Sequence, residues 1–394
     1  MPWIREDRVP TPAELAWLQS PAGRAACQAM AGGEPADTPA AIAHWRRTLE
    51  PAQVAAAWNL VTLRVAARAK FTRADEMLFD RVGLEQASDE VVAAHKARRF
   101  GPLRRVADLC CGIGGDAVAL AAASDVVAVD WSALRVSMAE HNARVYGRQV
   151  NGMVGDAAFD WPDAEAVHVD PDRRPGGPRR HQAEECSPGL DVLQRIVDHY
   201  HEGAIKLSPA TDFEALPFEA EIELISHHDE CKQAVAWTGR LRRAQRSATV
   251  LPAGESIAAT AGESLAWPPP RPVEPGGVLF EPDPGVIRAN LVGVLARRHG
   301  LAPVDPQIAY LTGGQPVSTA LLHAFRVIDV MDWSLAKARA WLSHHDIGQL
   351  DIKTRGFAGR PEDIRRRLKL SGRRQAVLVL TRLRERPVAI LAER

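Results

Sequence analysis

Acidic residues follow short apolar runs at intervals through the middle of the chain: Asp108, Asp130, Asp156 and Asp170. The densest stretch is Val106 to Asp130, VADLCCGIGGDAVALAAASDVVAVD. Its first residues form an apolar, partly β-branched run ending at Cys110 and Cys111. Gly112, Gly114 and Gly115 follow, and helix formers continue from Asp116, so the pattern predicts strand, glycine-rich turn and helix. Glycines without Cβ let the backbone turn tightly and let a ligand lie against main-chain N–H groups, and the helix N-terminus behind them favours negative charge. Asp130 ends the next predicted strand, 22 residues past Asp108, where it could accept hydrogen bonds from ribose hydroxyls. This spacing calls for a nucleoside ligand, with a plain tight turn as the alternative.

Other reactive side chains carry less. His227-His228-Asp229-Glu230-Cys231 has metal-binding side-chain types, but neighbours on a strand point to opposite faces, so no metal site is expected. His168 inside its strand reads as a core histidine. Five cysteines make no CxxC pair, which argues for a reducing compartment and against structural zinc.

The elements that must position these acids alternate strand and helix from residue 101 to about 245. Strands are expected at 125–129, 149–154, 164–169 and 204–207, with a hairpin from 221–226 and 233–237. A helix capped by Ser132 runs to Tyr146 and another spans 188–200. Cys110, Asp130, Asp156, Asp170 and Ser208 then all fall at strand carboxyl ends, the edge where a doubly wound sheet binds its ligand. Before this block, residues 1–95 read as helices, with start signals at Thr11-Pro12-Ala13-Glu14 and Thr38-Pro39, an unbroken helical pattern from Pro51 to Phe79, and a helix beginning at Ser88. After it, WPPPRPVEPGG (267–277) reads as a linker, since prolines lack the N–H a packed element needs. A strand at 278–281, a helix at 284–298 and a β-helix-β tail with helix starts at Ser334 and Pro361 complete the chain.

The composition, 46% hydrophobic and 25% charged with zero formal charge, is that of a globular chain. The charge is unevenly spread: Lys337 to Arg394 holds 15 Lys and Arg against 6 Asp and Glu. That excess suits a polyanion, or else a solvated basic face. The N-terminus has charges of both signs and no apolar core, and no run approaches the length of a membrane span, so a cytoplasmic protein without a signal peptide is expected.

The motif departs from the dinucleotide G-x-G-x-x-G and resembles motif I of class I S-adenosylmethionine (SAM) methyltransferases, in which the strand acid lies near the cationic methionine end of the cofactor. Asp170-Pro171-Asp172-Arg173 stands where that family has motif IV, (D/N)PP(Y/W), whose acid and following carbonyl accept hydrogen bonds from an acceptor amine. Here Asp172 replaces the second proline and Arg173, with Arg174 behind it, replaces the stacking aromatic. DLCCGIGGDAVALA, AEHNARVYG, GD and DPDRRPGGP resemble the trimethylguanosine synthase group in order and spacing. DPDRR, CSPGLD, KLSPATD, ECKQAVAW, EPDPGVIRA and the final segment look more closely like bacterial class I methyltransferases with a ferredoxin-like insert and a C-terminal THUMP-like domain. DP(x)R is also similar to uracil-C5 methyltransferases, but these need a thiolate in SCNPxT, and the corresponding KLSPAT has none. Cys186 between the strands reads as structural.

The resemblance implies an α/β, Rossmann-like methyltransferase sheet with an N-terminal helical region and a small C-terminal α+β (ferredoxin-like/THUMP-like) domain. The expected boundaries are 1–95 (helical region), 96–262 (methyltransferase), 263–320 (Pro-rich linker and ferredoxin-like segment) and 321–394 (THUMP-like). It implies SAM as cofactor, held by Asp108, Cys110, Cys111, Gly112, Gly114 and Gly115 at the methionine end, Asp130 at the ribose, and Asp156, Ala157 and Trp131 around the adenine, with Asp170 also against the cofactor. Asp170 and the carbonyl of Pro171 would orient the acceptor with Asp172 and Arg173, while Arg173, Arg174, Lys206 and Ser208 would contact substrate. THUMP domains bind RNA in tRNA-modifying enzymes, so a base nitrogen of structured RNA is the expected acceptor. The alternatives are a small-molecule methyltransferase and a SAM- and RNA-binding scaffold without turnover.

Overall fold

The protein is described here by a computed structural model covering residues 9–32, 39–173, 186–260 and 262–394. The chain forms two compact units, Met1–Ala220 with Val235–Arg243, and Glu221–Ala234 with Ala244–Arg394.

The first unit opens with helices α1 (Pro12–Gln19), α2 (Pro21–Ala31), α3 (Pro39–Trp45) and α4 (Pro51–Ala67). Thr11 caps α1 as its sequence predicts: its hydroxyl accepts from the Glu14 N–H and the Glu14 carboxylate accepts from the Thr11 N–H. Thr38, the second expected cap, lies outside the described residues. The helical pattern expected to reach Phe79 ends at Ala67. A straight continuation would carry Phe71, Met77, Leu78 and Phe79 away from the helical core. The chain instead turns back and buries all four against Leu15, Met30, Val54 and Leu60. Arg64 and Lys70 hold the reversal by donating to the carbonyls of Met77, Leu84, Glu85 and Ala87.

Two helices, α5 (Arg81–Gln86) and α6 (Glu90–Phe100), lead to the sheet. The cap of α6 is Asp89, whose carboxylate accepts from the Val92 N–H at 2.9 Å. Ser88, the expected start, turns its hydroxyl elsewhere, as described below.

The sheet of this unit is built from β1 (Arg105–Leu109), α7 (Gly115–Leu120), β2 (Asp125–Asp130), α8 (Ala133–Val145), β3 (Asn151–Val154), β4 (Ala166–Val169), β5 (Asp172–Arg173), β6 (Cys186–Ser187), α9 (Leu190–Tyr200) and β7 (Gly203–Leu207). The order β3-β2-β1-β4-β7 is parallel throughout, and residues 235–238 follow beyond β7. β1 and β4 carry near-continuous apolar burial, as strands covered by helices require. β5 and β6 form a separate antiparallel ribbon pairing Asp172 with Ser187 and Arg173 with Cys186. The sheet order reverses direction at β1, so the carboxyl ends of β1, β2 and β4 meet at the switch point where open α/β sheets form ligand crevices.

In the second unit, β8 (Glu221–His227), the start of β9 (Glu230–Thr238), β10 (Arg246–Leu251) and β11 (Glu255–Ala258) precede a long irregular connection. β12 (Val278–Pro282), α10 (Pro284–Arg288), α11 (Val292–Arg298), β13 (Ala302–Asp305), β14 (Ile308–Gly313), β15 (Leu322–Asp332), α12 (Leu335–His344), β16 (Ile347–Thr354), α13 (Pro361–Leu368), β17 (Arg374–Leu383) and β18 (Arg386–Glu393) follow. Seven of these strands form one sheet, β13-β14-β12-β15-β18-β17-β16, parallel only between β16 and β17. The single helix expected over 284–298 is two, broken where Asn290 takes a left-handed φ of 59°, a conformation that asparagine tolerates better than most residues.

Candidate functional site

At the end of β1 the backbone enters the left-handed region three times, at Cys110 (φ 59°), Gly112 (φ 54°) and Gly114 (φ 84°). The turn is pinned to β2, with the Cys111 N–H donating to the Val129 carbonyl and the Gly112 N–H to Asp130 Oδ2, both at 3.0 Å. Asp130 is buried, and its other oxygen accepts from the Ser132 N–H at 2.9 Å. Gly114 is required by its surroundings as well as its φ, since a Cβ there would stand 2.8 Å from Cα of Ala139 on α8. Gly115 begins α7, where a Cβ would lie 3.2 Å from the Ser88 carbonyl. A Cβ on Gly112 would meet nothing within 4 Å, so the turn has one face of open space. Cys111 is buried, and burial keeps its thiol well above the usual range and so protonated, with Asp108 and Asp130 adding to the shift.

Beneath the turn lies a buried polar chain. Asp108 Oδ1 is 2.6 Å from His168 Nδ1, its register partner on β4. His168 Nε2 is 3.3 Å from Lys96 Nζ and 3.8 Å from Asp116 Oδ2. Lys96 Nζ is 2.6 Å from Asp116 Oδ1, and Ser88 Oγ donates to Asp116 Oδ2 at 2.8 Å. Lys96 and His168 are each 1% exposed. Burial pushes the Asp108 carboxyl up against the opposing pull of His168. Burial would push Asp116 up too, but Lys96, then His168 and Lys206, hold it well below its ordinary value. From sequence, His168 reads as a core histidine and Ser88 and Asp116 only as helix-start residues, while Lys96 is not singled out. A signal was present: Lys96 sits at helical spacing between Val92 and Phe100, a charge on an otherwise buried stripe.

Asp170 stands two residues beyond His168, just past the end of β4. Its N–H donates to the Leu109 carbonyl at 3.1 Å, tying the acid to the residue before the glycine turn. Its carboxylate pairs with Lys206 Nζ at 2.6 Å, and that ammonium also donates to the Gln86 carbonyl at 2.9 Å. Pro171 is buried beside it. Asp172 and Arg173 continue into the β5 backbone, and Arg174 lies outside the described residues. Ser208 closes β7 in a turn, accepting from the Ala210 N–H through its hydroxyl and from the Thr211 N–H through its carbonyl.

Along the β2–β3 edge, Trp131 is 74% exposed. Val154 and Phe159, which no sequence motif marks, are also large exposed apolar residues. Asp156 is exposed and held within its own loop, accepting from the Ala158 N–H at 2.8 Å, while Ala157 is buried and its carbonyl takes the Trp161 indole N–H. Among the described residues no group of three or more metal-type side chains could hold an ion, and no helix is long and apolar enough to cross a membrane.

A parallel sheet with a glycine turn after its first strand, a buried acid at the end of the second and an acid at the end of the fourth defines a Rossmann-like nucleoside site of the class I methyltransferase kind. The comparisons agree. The chain is 35% identical over 317 residues, 78% of its length and 85% of theirs, to uncharacterized S-adenosylmethionine-dependent methyltransferases of Mycobacterium tuberculosis strains CDC 1551 / Oshkosh and H37Rv. It therefore belongs to the S-adenosylmethionine-dependent methyltransferases, and its cofactor is SAM. Family profiles match an RNA cap guanine-N2 methyltransferase over residues 103–169, a THUMP domain-like region over 322–394 and a domain of unknown function over 11–67. A crystal structure of a proposed methyltransferase from Porphyromonas gingivalis W83 shares the fold across 97% of both chains, with a TM-score of 0.78 at 20% identity.

The donor set fits that cofactor: among the described residues buried Asp108 Oδ2 has no hydrogen-bond partner, the space over Gly112 is open to a close backbone approach, and Trp131 is exposed at the same sheet edge.

Proposed function

We propose that this enzyme methylates a base nitrogen of structured RNA, tRNA or rRNA. The observation that carries the reading is the placement of Asp170 at the carboxyl end of β4, hydrogen-bonded through its N–H to the residue before the glycine turn. An acceptor held there would lie beside the methionine end of the cofactor. SAM supplies a methyl group on a sulfonium, already a good leaving arrangement, so the protein's task is to orient the acceptor and exclude water.

In this reading Asp108 and Cys110 to Gly115 hold the methionine end, Asp130 the ribose, and Asp156, Ala157 and Trp131 the adenine. Asp170 and the Pro171 carbonyl accept hydrogen bonds from the acceptor nitrogen. Asp172 and Arg173 would help to orient the acceptor, Arg173 and Arg174 would contact substrate, and Lys206 and Ser208 would line the opposite wall. Residues 96–262 would be the catalytic domain behind the helical region 1–95, 263–320 the linker and ferredoxin-like segment, and 321–394 the part that grips the RNA backbone. The RNA assignment is supported by the THUMP-like match, the guanine-N2 profile and the basic excess after Lys337.

Methyl-labelled SAM incubated with the full chain and small RNA from cells lacking the enzyme should label RNA, and nuclease digestion should place the label on a base. Label that enters only small molecules would replace this substrate class. SAM binding and RNA binding without any transfer would replace it with the scaffold reading.

A further inference from the structure

Lys206, next to last in β7, reaches groups on two other elements. β4 and β7 run parallel in the register Val167–Gly203, His168–Ala204 and Val169–Ile205, and one step further along both strands sets Lys206 beside Asp170. Its ammonium pairs with Asp170 Oδ2 at 2.6 Å and donates to the Gln86 carbonyl at 2.9 Å. Gln86 is the last residue of α5, and the carbonyls that end a helix have no partner within it. Lys70 takes the neighbouring carbonyls of Leu84, Glu85 and Ala87, so two lysines share this helix end, one from the helical region and one from the sheet. An aspartate carboxylate turns readily about its last bond, because that torsion has broad wells. Among the described residues Lys206 alone donates to the Asp170 carboxylate; it takes Oδ2 and leaves Oδ1 without a partner. The pair is partly shielded from water, with Lys206 16% and Asp170 26% exposed, so it is screened less than a surface ion pair.

We propose that Lys206 is a positioning residue for methyl transfer, acting through Asp170 rather than on the substrate. It fixes the carboxylate so that Oδ1 is the oxygen offered to the acceptor, and it ties that acid to the end of α5. The inference rests on the reading of Asp170 as the group that orients the acceptor, and it deepens the part given there to Lys206. The two roles separate kinetically. A lysine that grips RNA holds the substrate equally before and during transfer, so its loss weakens binding. A lysine whose ammonium is engaged by Asp170 and Gln86 sets the aim of the acceptor, so its loss slows turnover. Aim is the sensitive quantity, since a displacement of about 1 Å in a reacting group can cost about 100-fold in rate.

The test follows transfer from methyl-labelled SAM to small RNA from cells lacking the enzyme, using the full chain and reading turnover and the half-saturating RNA concentration separately. Lys206→Met should lower turnover at least about tenfold, with half-saturating RNA and SAM affinity each within about threefold of wild type. Lys206→Arg keeps the charge and offers several donors, and should stay within about fivefold of wild-type turnover. Added to Asp170→Ala, Lys206→Met should cost less than about twofold more, because its effect passes through that acid. Should Lys206→Met not fold, Lys206→Gln, neutral and shorter, takes its place in the same comparisons. Unchanged turnover in the neutral variant, with or without weaker RNA binding, would overturn the proposal and leave the role of Asp170 standing. So would a loss that multiplies in full with that of Asp170→Ala. Full activity in Asp170→Ala, or no transfer to RNA by the wild type, would remove the reading of Asp170 and the proposal with it.

Discussion

Both units bury a carboxylate where a strand hands over to a helix, and they treat it differently. In the second unit Asp283, at the junction of β12 and α10, is 2% exposed, and burial pushes its carboxyl up. Its Oδ1 accepts from Ser226 Oγ at 2.6 Å and from the Gly285 N–H at 2.7 Å, so its hydrogen bonds go to its own helix start and to β8. Asp108 in the first unit is as buried, yet among the described residues its Oδ2 meets no donor, and its partner His168 leads on to a lysine and a second acid. The first arrangement is a helix cap that is complete as it stands. The second is a polar chain that lacks a final partner, and buried polar groups without partners are rare enough to mark a place where a ligand belongs.

The sharpest way to break this contrast is to cut the chain. Lys96→Met would leave Asp116 buried without its ammonium partner, and stability should fall by about 3–5 kcal/mol in urea unfolding at neutral pH. A loss no larger than that from Asp283→Asn would mean that the two acids are alike. The same chain gives a pH signature. Asp116 has its folded pKa depressed, so its contribution is fully present above the unfolded value near about 4 and is lost as pH falls from there toward the folded value. Wild type should therefore lose stability steeply below about pH 4, and Lys96→Met should flatten that slope.

Next in size, Asp170→Ala should lower methyl transfer by at least about 100-fold through lost orientation while SAM affinity stays within about threefold. Asp283→Asn should leave transfer untouched, and equal losses from both variants would place the chemistry elsewhere. Gly114→Ala sets a left-handed φ of 84° against a backbone contact of 2.8 Å, and should cost about 2–3 kcal/mol of thermal stability. Gly112→Ala, with open space around the new methyl, should cost about 1 kcal/mol. Asp283→Asn itself should cost about 1–2 kcal/mol, the range of a lost helix cap. The smallest change expected is at the surface of the second unit. Arg367→Gln with Arg373→Gln should leave the fold intact and make the salt dependence of RNA binding shallower by about one to two in log–log slope. An unchanged slope would show that these arginines touch no phosphate.

Much of this was legible in the residues themselves. The glycine turn and the acids at strand ends are local patterns, because a period-two apolar run, a glycine needing positive φ and an N-cap each involve residues close in the chain. The same locality gave Thr11 its capping box and Ser132 its place before α8. Where a longer-range force competed, local reading failed. The helical pattern through residue 79 gave way to burial of Phe71, Met77, Leu78 and Phe79, and Ser88 gave up its expected cap to reach Asp116, 28 residues away. Strands 278–282 and 322–332 are recognisable separately, but their pairing within one sheet depends on register between distant segments. Which residue types could bind a nucleoside and orient an amine, and at what spacing, is legible in the linear order of the residues. That Lys96, Asp116, His168 and Asp108 are one buried chain follows only from folding, because α6, α7, β4 and β1 come together through hydrophobic packing that is indifferent to the order of residues between them.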